Sequence, residues 1–181
     1  MKKILFCLLT GLTTCLMLSC EGPSTYRSPE TNIYSIAINR DTLEYGEILD
    51  TLYVGDTLRL GMVLNPYYNA LREFEVEIDR NYLQDSIFAQ SDYERYFDTQ
   101  RSNPESGLYV FNPDSLVAGE AMAIPNAQFV ALQPRNPAST RTPIRLILTS
   151  DLDVDNANPT VTSLSILIAE KDDAEKNDGD R

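Results

Sequence analysis

The residues best suited to hold a metal ion lie together in one acidic segment, residues 151–158 (DLDVDNAN). Aspartates at alternate positions can turn several oxygen atoms towards one cation, and Ca²⁺ prefers such ligands. The candidate calcium ligands are Asp151, Asp153, Asp155 and Asn158. An EF-hand loop, however, needs glycine where this segment has Asn156 and a bidentate glutamate where it has Thr162. These two mismatches favour the alternative, a solvated connection between strands that uses Asx turns.

Tyrosines near carboxylates form a second group of candidate contacts. Aromatic faces stack on sugar rings and carboxylates accept hydrogen bonds from sugar hydroxyls, so a patch of this kind can bind a glycan. The candidate glycan contacts are Tyr67, Tyr68, Tyr93 and Tyr96, the last two close in sequence to Asp85, Asp92, Glu94 and Asp98. Because the chain has no tryptophan, tyrosine and phenylalanine must also fill the core, which is the alternative role for the same side chains.

The composition excludes several kinds of chemistry. The 181 residues include no histidine, which rules out Ser-His-Asp and Cys-His catalysis and imidazole ligands to a metal. A net charge of -12 argues against binding to nucleic acid phosphates. No pair of acids is singled out as in a glycosidase. A Ser-Lys nucleophile is also disfavoured, because after residue 20 lysine occurs only at positions 171 and 176, in the C-terminal tail. We therefore expect no enzymatic role and no cofactor other than the candidate Ca²⁺.

The N-terminus has the order of a lipoprotein signal peptide. Residues 1–3 are positively charged, and the apolar stretch 4–18 has the length of a signal-peptide core, short of the roughly 20 residues of a membrane span. Residues 17–20 (MLSC) resemble the lipobox of bacterial lipoproteins: a large apolar residue, a tolerant position, a small residue and cysteine. The resemblance implies cleavage before Cys20 and transfer of diacylglycerol to its thiol. A plain secretory signal with a chance cysteine is the alternative.

The use of cysteine agrees with a lipid anchor. Cys7 and Cys15 lie within the signal, so the mature chain would keep only the lipid-bearing Cys20 and have neither a disulfide nor a thiol nucleophile. Cleavage removes two lysines and no acid, which takes the net charge from -12 to -14. A surface of this charge avoids anionic lipid headgroups. We expect attachment to a membrane through the N-terminal lipid alone.

Downstream of residue 31, apolar and polar residues alternate with the period of half-buried strands. The alternation is clearest over 57–64 and over 73–79, where three glutamates fall on the outer face. Ser91 and Glu94 have the spacing of a capping box, which predicts a short helical turn over 92–97. Further strands are predicted over 33–38, 49–54, 108–111, 121–124, 128–132, 144–149 and 160–168.

Many short strands, regular turns and almost no helix are typical of an all-β fold. We predict an antiparallel, immunoglobulin-like β-sandwich with Greek-key connections. The chain then divides into a signal peptide at 1–19, a lipidated Cys20 with a flexible tether to residue 31, a β-sandwich domain at 32–169 and a disordered acidic tail at 170–181.

Residues 109–126 carry a family resemblance. They run from Tyr109-Val110-Phe111 through residues 114–119 (DSLVAG) to residues 123–126 (AIPN), so that a strand, a polar turn and an Ile-Pro step precede another strand. This order is similar to a recurring segment in the immunoglobulin-like domains of small Bacteroidetes lipoproteins. Together with the lipobox, the resemblance implies an envelope setting, often with polysaccharide capture or surface assembly, and it identifies no active site.

These observations lead to one expected function and two alternatives. We expect a non-catalytic binding or assembly module, anchored by lipid in the outer membrane and contacting a glycan or an envelope protein complex. A structural lipoprotein that faces the periplasm is the first alternative, and a glycan-active enzyme is the second. An acidic run after the lipidated cysteine would favour export to the cell surface, but only Glu21 follows Cys20 before the polar tether. The choice between surface display and the periplasm therefore stays open.

Overall fold

Ten strands and one short helix form the part of the chain that the computed structural model describes, residues 27–44, 49–136, 139–152 and 158–171. In chain order the elements are β1 (Glu30–Ile38), β2 (Asp41–Thr42), β3 (Thr51–Tyr53), β4 (Thr57–Asn65), β5 (Leu71–Ile78), β6 (Leu83–Ser86), α1 (Gln90–Tyr96), β7 (Leu108–Val110), β8 (Met122–Ala131), β9 (Thr142–Ser150) and β10 (Thr160–Ala169).

The strands build two five-stranded sheets whose inner faces share one core. The first sheet has the order β2-β1-β4-β8-β6 and the second the order β3-β10-β9-β5-β7. Most neighbours are distant in sequence, because the chain crosses repeatedly from one sheet to the other. The predicted antiparallel, immunoglobulin-like β-sandwich is confirmed, with one local departure: β3 pairs in parallel with the end of β10.

The core follows the period-two pattern seen in the sequence. Alternate residues of β4 are fully buried, and β5 contributes Phe74 and Val76 from the opposite sheet. The three glutamates of β5 lie on its outer face, where Glu77 pairs with Arg145 of the neighbouring β9. The alternating pattern therefore predicted correctly which side chains of these two strands face the core.

One prediction fails at Pro125. The sequence predicts one strand that ends before Pro125-Asn126 and a second that begins after them, whereas β8 runs through both residues without a break. The register between β4 and β8 slips at this point, so that Pro125 and Asn126 together oppose Gly61. Such a bulge tolerates proline, because the extra residue needs no partner in the ladder.

The predictions also miss the bounds of the short elements. The helix α1 begins at Gln90 with Ala89 as its N-cap and no side-chain cap, so the predicted capping box is wrong: Ser91 lies inside the helix. Strand β6, whose last three residues are polar, was not predicted, nor was the two-residue β2. The first strand begins at Glu30, two residues before the predicted start of the domain.

Cys20, the predicted signal peptide and the tail from residue 172 onwards lie outside the described residues. Within the described ranges, no helix has the length and apolar character needed to cross a bilayer. Signal cleavage, lipidation and disorder of the tail therefore stay predictions.

Candidate binding site

A pocket of about 230 Å³ opens at one edge of the sandwich, where β6, α1 and β7 meet. It is lined by residues 85–88, which end β6 and follow it, by Gln90 and Tyr93 of α1, by Pro104, and by Tyr109 of β7. Strand β6 belongs to the first sheet and β7 to the second, so the pocket lies across the gap between the sheets with α1 beside it. We refer to it as the aromatic pocket.

Asp85 supplies a charge to the aromatic pocket from an inward-facing position. Leu83 of β6 and Ile87, just after the strand, are both buried, and Asp85 midway between them has the same orientation, with its side chain only 4% exposed. Its carboxylate is 2.5 Å from the guanidinium of Arg80, which also donates to the Pro104 carbonyl at 3.5 Å. An inward charge on an edge strand needs such a partner, because an unpaired buried carboxylate is costly.

Two tyrosines from different elements complete the aromatic pocket. Tyr109 is buried, and its ring lies edge-on to Tyr93, with 6.3 Å between centroids. Burial raises the pKa of the Tyr109 phenol, and the negative charge of Asp85 raises it further. The phenol therefore stays protonated and can donate a hydrogen bond to a ligand, but it does not supply a phenolate nucleophile or base.

The rings around Tyr109 form a continuous support for the pocket. Phe88 is 4.8 Å from Tyr109 and 4.6 Å from Phe97 between centroids, and Phe74 of the core lies behind both Phe88 and Tyr109. Because these rings are packed against one another, the core fixes the positions of Tyr93 and Tyr109.

A second cleft of about 230 Å³ lies on the other side of residues 86–88. Its far wall is β8 from Met122 to Gln128. Strand β6 pairs with β8 only from Gln128 to Ala131, so in the described part of the chain residues 122–127 have no strand partner on this side. We call this stretch the open edge of β8.

The structure divides the four candidate glycan contacts into two separate pairs. Tyr93 lines the aromatic pocket, whereas Tyr96 at the end of α1 does not, and the Arg95 guanidinium covers its ring at 4.9 Å. Tyr67 and Tyr68 lie in the turn between β4 and β5. No ring contact joins the two pairs among the described residues, so the four tyrosines do not form one patch.

Tyr67 is already occupied by contacts within the chain. The guanidinium of Arg27 lies 3.7 Å from the centroid of its ring, and its hydroxyl donates a hydrogen bond to Glu30. This hydrogen bond raises the pKa of the Tyr67 phenol. The following residue, Tyr68, is exposed.

The candidate calcium segment is described only at its two ends, because Asp153 and Asp155 lie outside the described residues. Asp151 accepts a hydrogen bond from the Ala70 amide at 2.7 Å. Asn158 accepts one from the Ser150 amide and donates to the Ser150 and Leu152 carbonyls. Within the described ranges no cluster of three acids or cysteines is placed to hold a metal. The calcium site therefore stays a prediction, although both visible candidates are engaged with backbone.

Sequence reasoning identified Tyr93 and the nearby Asp85 but missed Arg80 and Tyr109. Tyr109 lies in a short apolar strand that reads as ordinary core, and Arg80 lies in a polar turn. The one signal in the sequence was that Asp85 falls on the inward-facing side of β6, where a charge needs a partner. That side could not be identified beforehand, because the residues of β6 alternate too weakly to predict a strand.

Comparisons with known proteins add little beyond the architecture. No family model and no curated protein matches this chain. Among solved structures, it is similar to a cohesin module from a family 33 glycoside hydrolase of Clostridium perfringens ATCC13124, at 10% identity and a TM-score of 0.41, over 80% of this chain and 99% of that one. It is also similar to a chain of the CaDoc0917–CaCohA2 complex, at 9% identity and a TM-score of 0.35, over 77% and 100% of the two chains. Likenesses this weak establish neither a ligand nor an activity.

Proposed function

We propose that this protein is a lipid-anchored, non-catalytic binding module of a bacterial outer membrane, and that it holds a glycan in the aromatic pocket. The pocket carries this proposal, because Tyr93, Tyr109 and the Asp85–Arg80 pair bring aromatic rings and hydrogen-bonding groups together around one opening at the edge of the sandwich. Aromatic rings with a few convergent polar groups are typical of ligand sites. A volume of about 230 Å³ suits the terminal sugar of a glycan better than a whole drug-sized ligand.

The chemistry of the pocket supports binding over catalysis. The chain has no histidine to act as a general base near neutral pH. The Tyr109 phenol keeps its proton, and the Asp85 carboxylate is held by Arg80. These groups are suited to accept and donate hydrogen bonds in fixed positions.

Replacing Tyr93 with alanine is expected to weaken glycan binding about tenfold, the equivalent of ~1.4 kcal/mol of lost stacking. Binding is measured first on an array of bacterial and host oligosaccharides and then by titration with the best binder. Tyr96→Ala is the matched control, because its ring lies on the same helix outside the pocket, and it should bind like the parent. Equal binding by parent and Tyr93→Ala would remove the aromatic pocket as the glycan site.

A protein partner is the second candidate, favoured by the open edge of β8. Unpaired backbone groups at a sheet edge can accept an extended segment of another chain as an added strand. Pro125 has no amide hydrogen, which limits the stretch that can pair. A photo-crosslinking residue in place of the exposed Ala123 would trap an envelope protein at this edge in cells if this candidate is correct.

Replacing Cys20 with serine tests the anchor. The parent should label with radioactive palmitate and sediment with membranes, whereas Cys20→Ser should do neither, because the hydroxyl is not the group that receives diacylglycerol. Protease treatment of intact and lysed cells then distinguishes surface display from the periplasm-facing alternative. A parent chain that stays unlabelled would contradict the lipoprotein assignment.

A further inference from the structure

The described chain begins at one end of the sandwich and is held there. Arg27 stacks on Tyr67 and lies 3.9 Å from Glu30. Strand β1 starts at Glu30, which pairs with Asn65 at the end of β4. The chain therefore enters beside the β4–β5 turn, and we call this the N-terminal end of the sandwich.

Three of the five large hydrophobic side chains that are exposed in the described part of the chain lie at this same end; of the other two, Tyr34 lies within β1 and Leu132 just after β8. Tyr68, 53% exposed, lies in the β4–β5 turn, and Val117, 72% exposed, lies in the loop before β8. The two loops are joined by a hydrogen bond from the Gly119 amide to the Asn69 carbonyl at 2.8 Å. Val161, 46% exposed, lies at the start of β10, next to the Thr160 hydroxyl that donates to the Pro29 carbonyl.

The length of chain between Arg27 and the proposed lipid limits where the membrane can be. Six residues lie between Cys20 and Arg27, and the seven residue-to-residue steps of a fully extended chain span at most about 25 Å. The ten residues of β8 span about 30 Å from the N-terminal end to the opposite end. A tether of this length therefore reaches Tyr68 and Val117 at the N-terminal end and falls short of the loops at the far end.

We infer that the N-terminal end of the sandwich rests on a zwitterionic lipid surface, with Tyr68 and Val117 at the headgroup boundary. This inference rests on the proposed lipidation of Cys20. Tyrosine suits that boundary because its ring is apolar and its hydroxyl can stay hydrated. A mature charge of -14 disfavours an anionic surface, which is why the proposed surface is zwitterionic. The aromatic pocket, on the lateral edge of the sandwich, then remains accessible from the aqueous side.

The test uses the full lipidated chain in phosphatidylcholine vesicles. A fluorophore is attached at Val117→Cys or, as the matched control, at Leu132→Cys, an aliphatic position 43% exposed just after β8 at the far end. Lipids that carry a quencher in the headgroup region should quench the label at position 117 several-fold more than the label at position 132. Thermal melts of both variants confirm that the fold is retained.

Two failures can be told apart because flotation of the vesicles is measured on the same samples. If the chain floats with the vesicles and both labels are quenched equally, the inferred orientation is wrong and the anchor stands. If the chain does not float, and Cys20→Ser behaves in the same way, the anchor is wrong and the inference fails with it.

Discussion

Phe74→Ala is expected to lower the free energy of unfolding by about 4 kcal/mol, a large share of the roughly 5–15 kcal/mol that holds a domain folded. Phe74 is fully buried between the two sheets. Its ring lies against Phe88 and Tyr109, at centroid distances of 6.2 and 6.3 Å. Truncation removes this apolar contact and leaves a cavity that packed strands cannot fill.

Urea unfolding followed by circular dichroism measures the effect of Phe74→Ala. Tyr68→Ala is the control, because the same kind of truncation at an exposed position should change stability by less than about 0.5 kcal/mol. The Phe74 variant should also lose glycan binding at temperatures where it is still folded, since Phe88 and Tyr109 lose their support. A loss of stability similar to that of the control would show that the core does not pack around Phe74.

Gly107→Ala is expected to cost about 3 kcal/mol, because two penalties act at one position. The backbone of Gly107 has φ +87°, where an L side chain is strained. A Cβ atom would also lie 2.2 Å from the Val76 carbonyl oxygen, and this backbone atom belongs to β5 and cannot move aside. The Val76 amide donates to the Gly107 carbonyl at 2.9 Å, so relief of the clash would break that hydrogen bond.

Gly55→Ala separates the two penalties. Gly55 has nearly the same conformation, φ +89°, but a Cβ atom there meets nothing within 4 Å. It should therefore cost only about 1 kcal/mol, the conformational part alone. Equal losses for the two variants would show that β5 yields to the new methyl group. Because the Arg80 guanidinium lies 3.3 Å from the same Cβ position, Gly107→Ala should also disturb the Asp85–Arg80 pair, which Gly55→Ala leaves intact.

Local alternation explains why much of the sandwich could be predicted. In a strand, neighbouring side chains point to opposite faces, so a half-buried strand carries its burial pattern in its own residues. The strands β4, β5, β9 and β10 all lie where alternation or β-branched runs predict them, within a few residues at each end. The exclusion of histidine chemistry is likewise a property of composition alone.

Elements that depend on a partner could not be predicted in the same way. Strand β8 passes through Pro125 because the register between β4 and β8 slips there and forms a bulge opposite Gly61. Strand β6 is short and largely polar, and it is a strand because it pairs with the end of β8. Neither fact is present in the local pattern, since pairing and register are set between distant segments.

The fold class and the approximate positions of the longer strands could be predicted from the sequence, and the resemblance of the N-terminus to a lipoprotein signal could be recognised there, because each depends on a local pattern of residues. Which tyrosine faces a pocket could not be predicted in this way, because it depends on contacts between distant segments. Tyr93 and Tyr109 come from a helix and a strand, and Asp85 comes from the other sheet. These three side chains line one pocket because of how the two sheets pack and where α1 lies beside the gap between them. Such packing is set by burial of the whole core and not by any single segment.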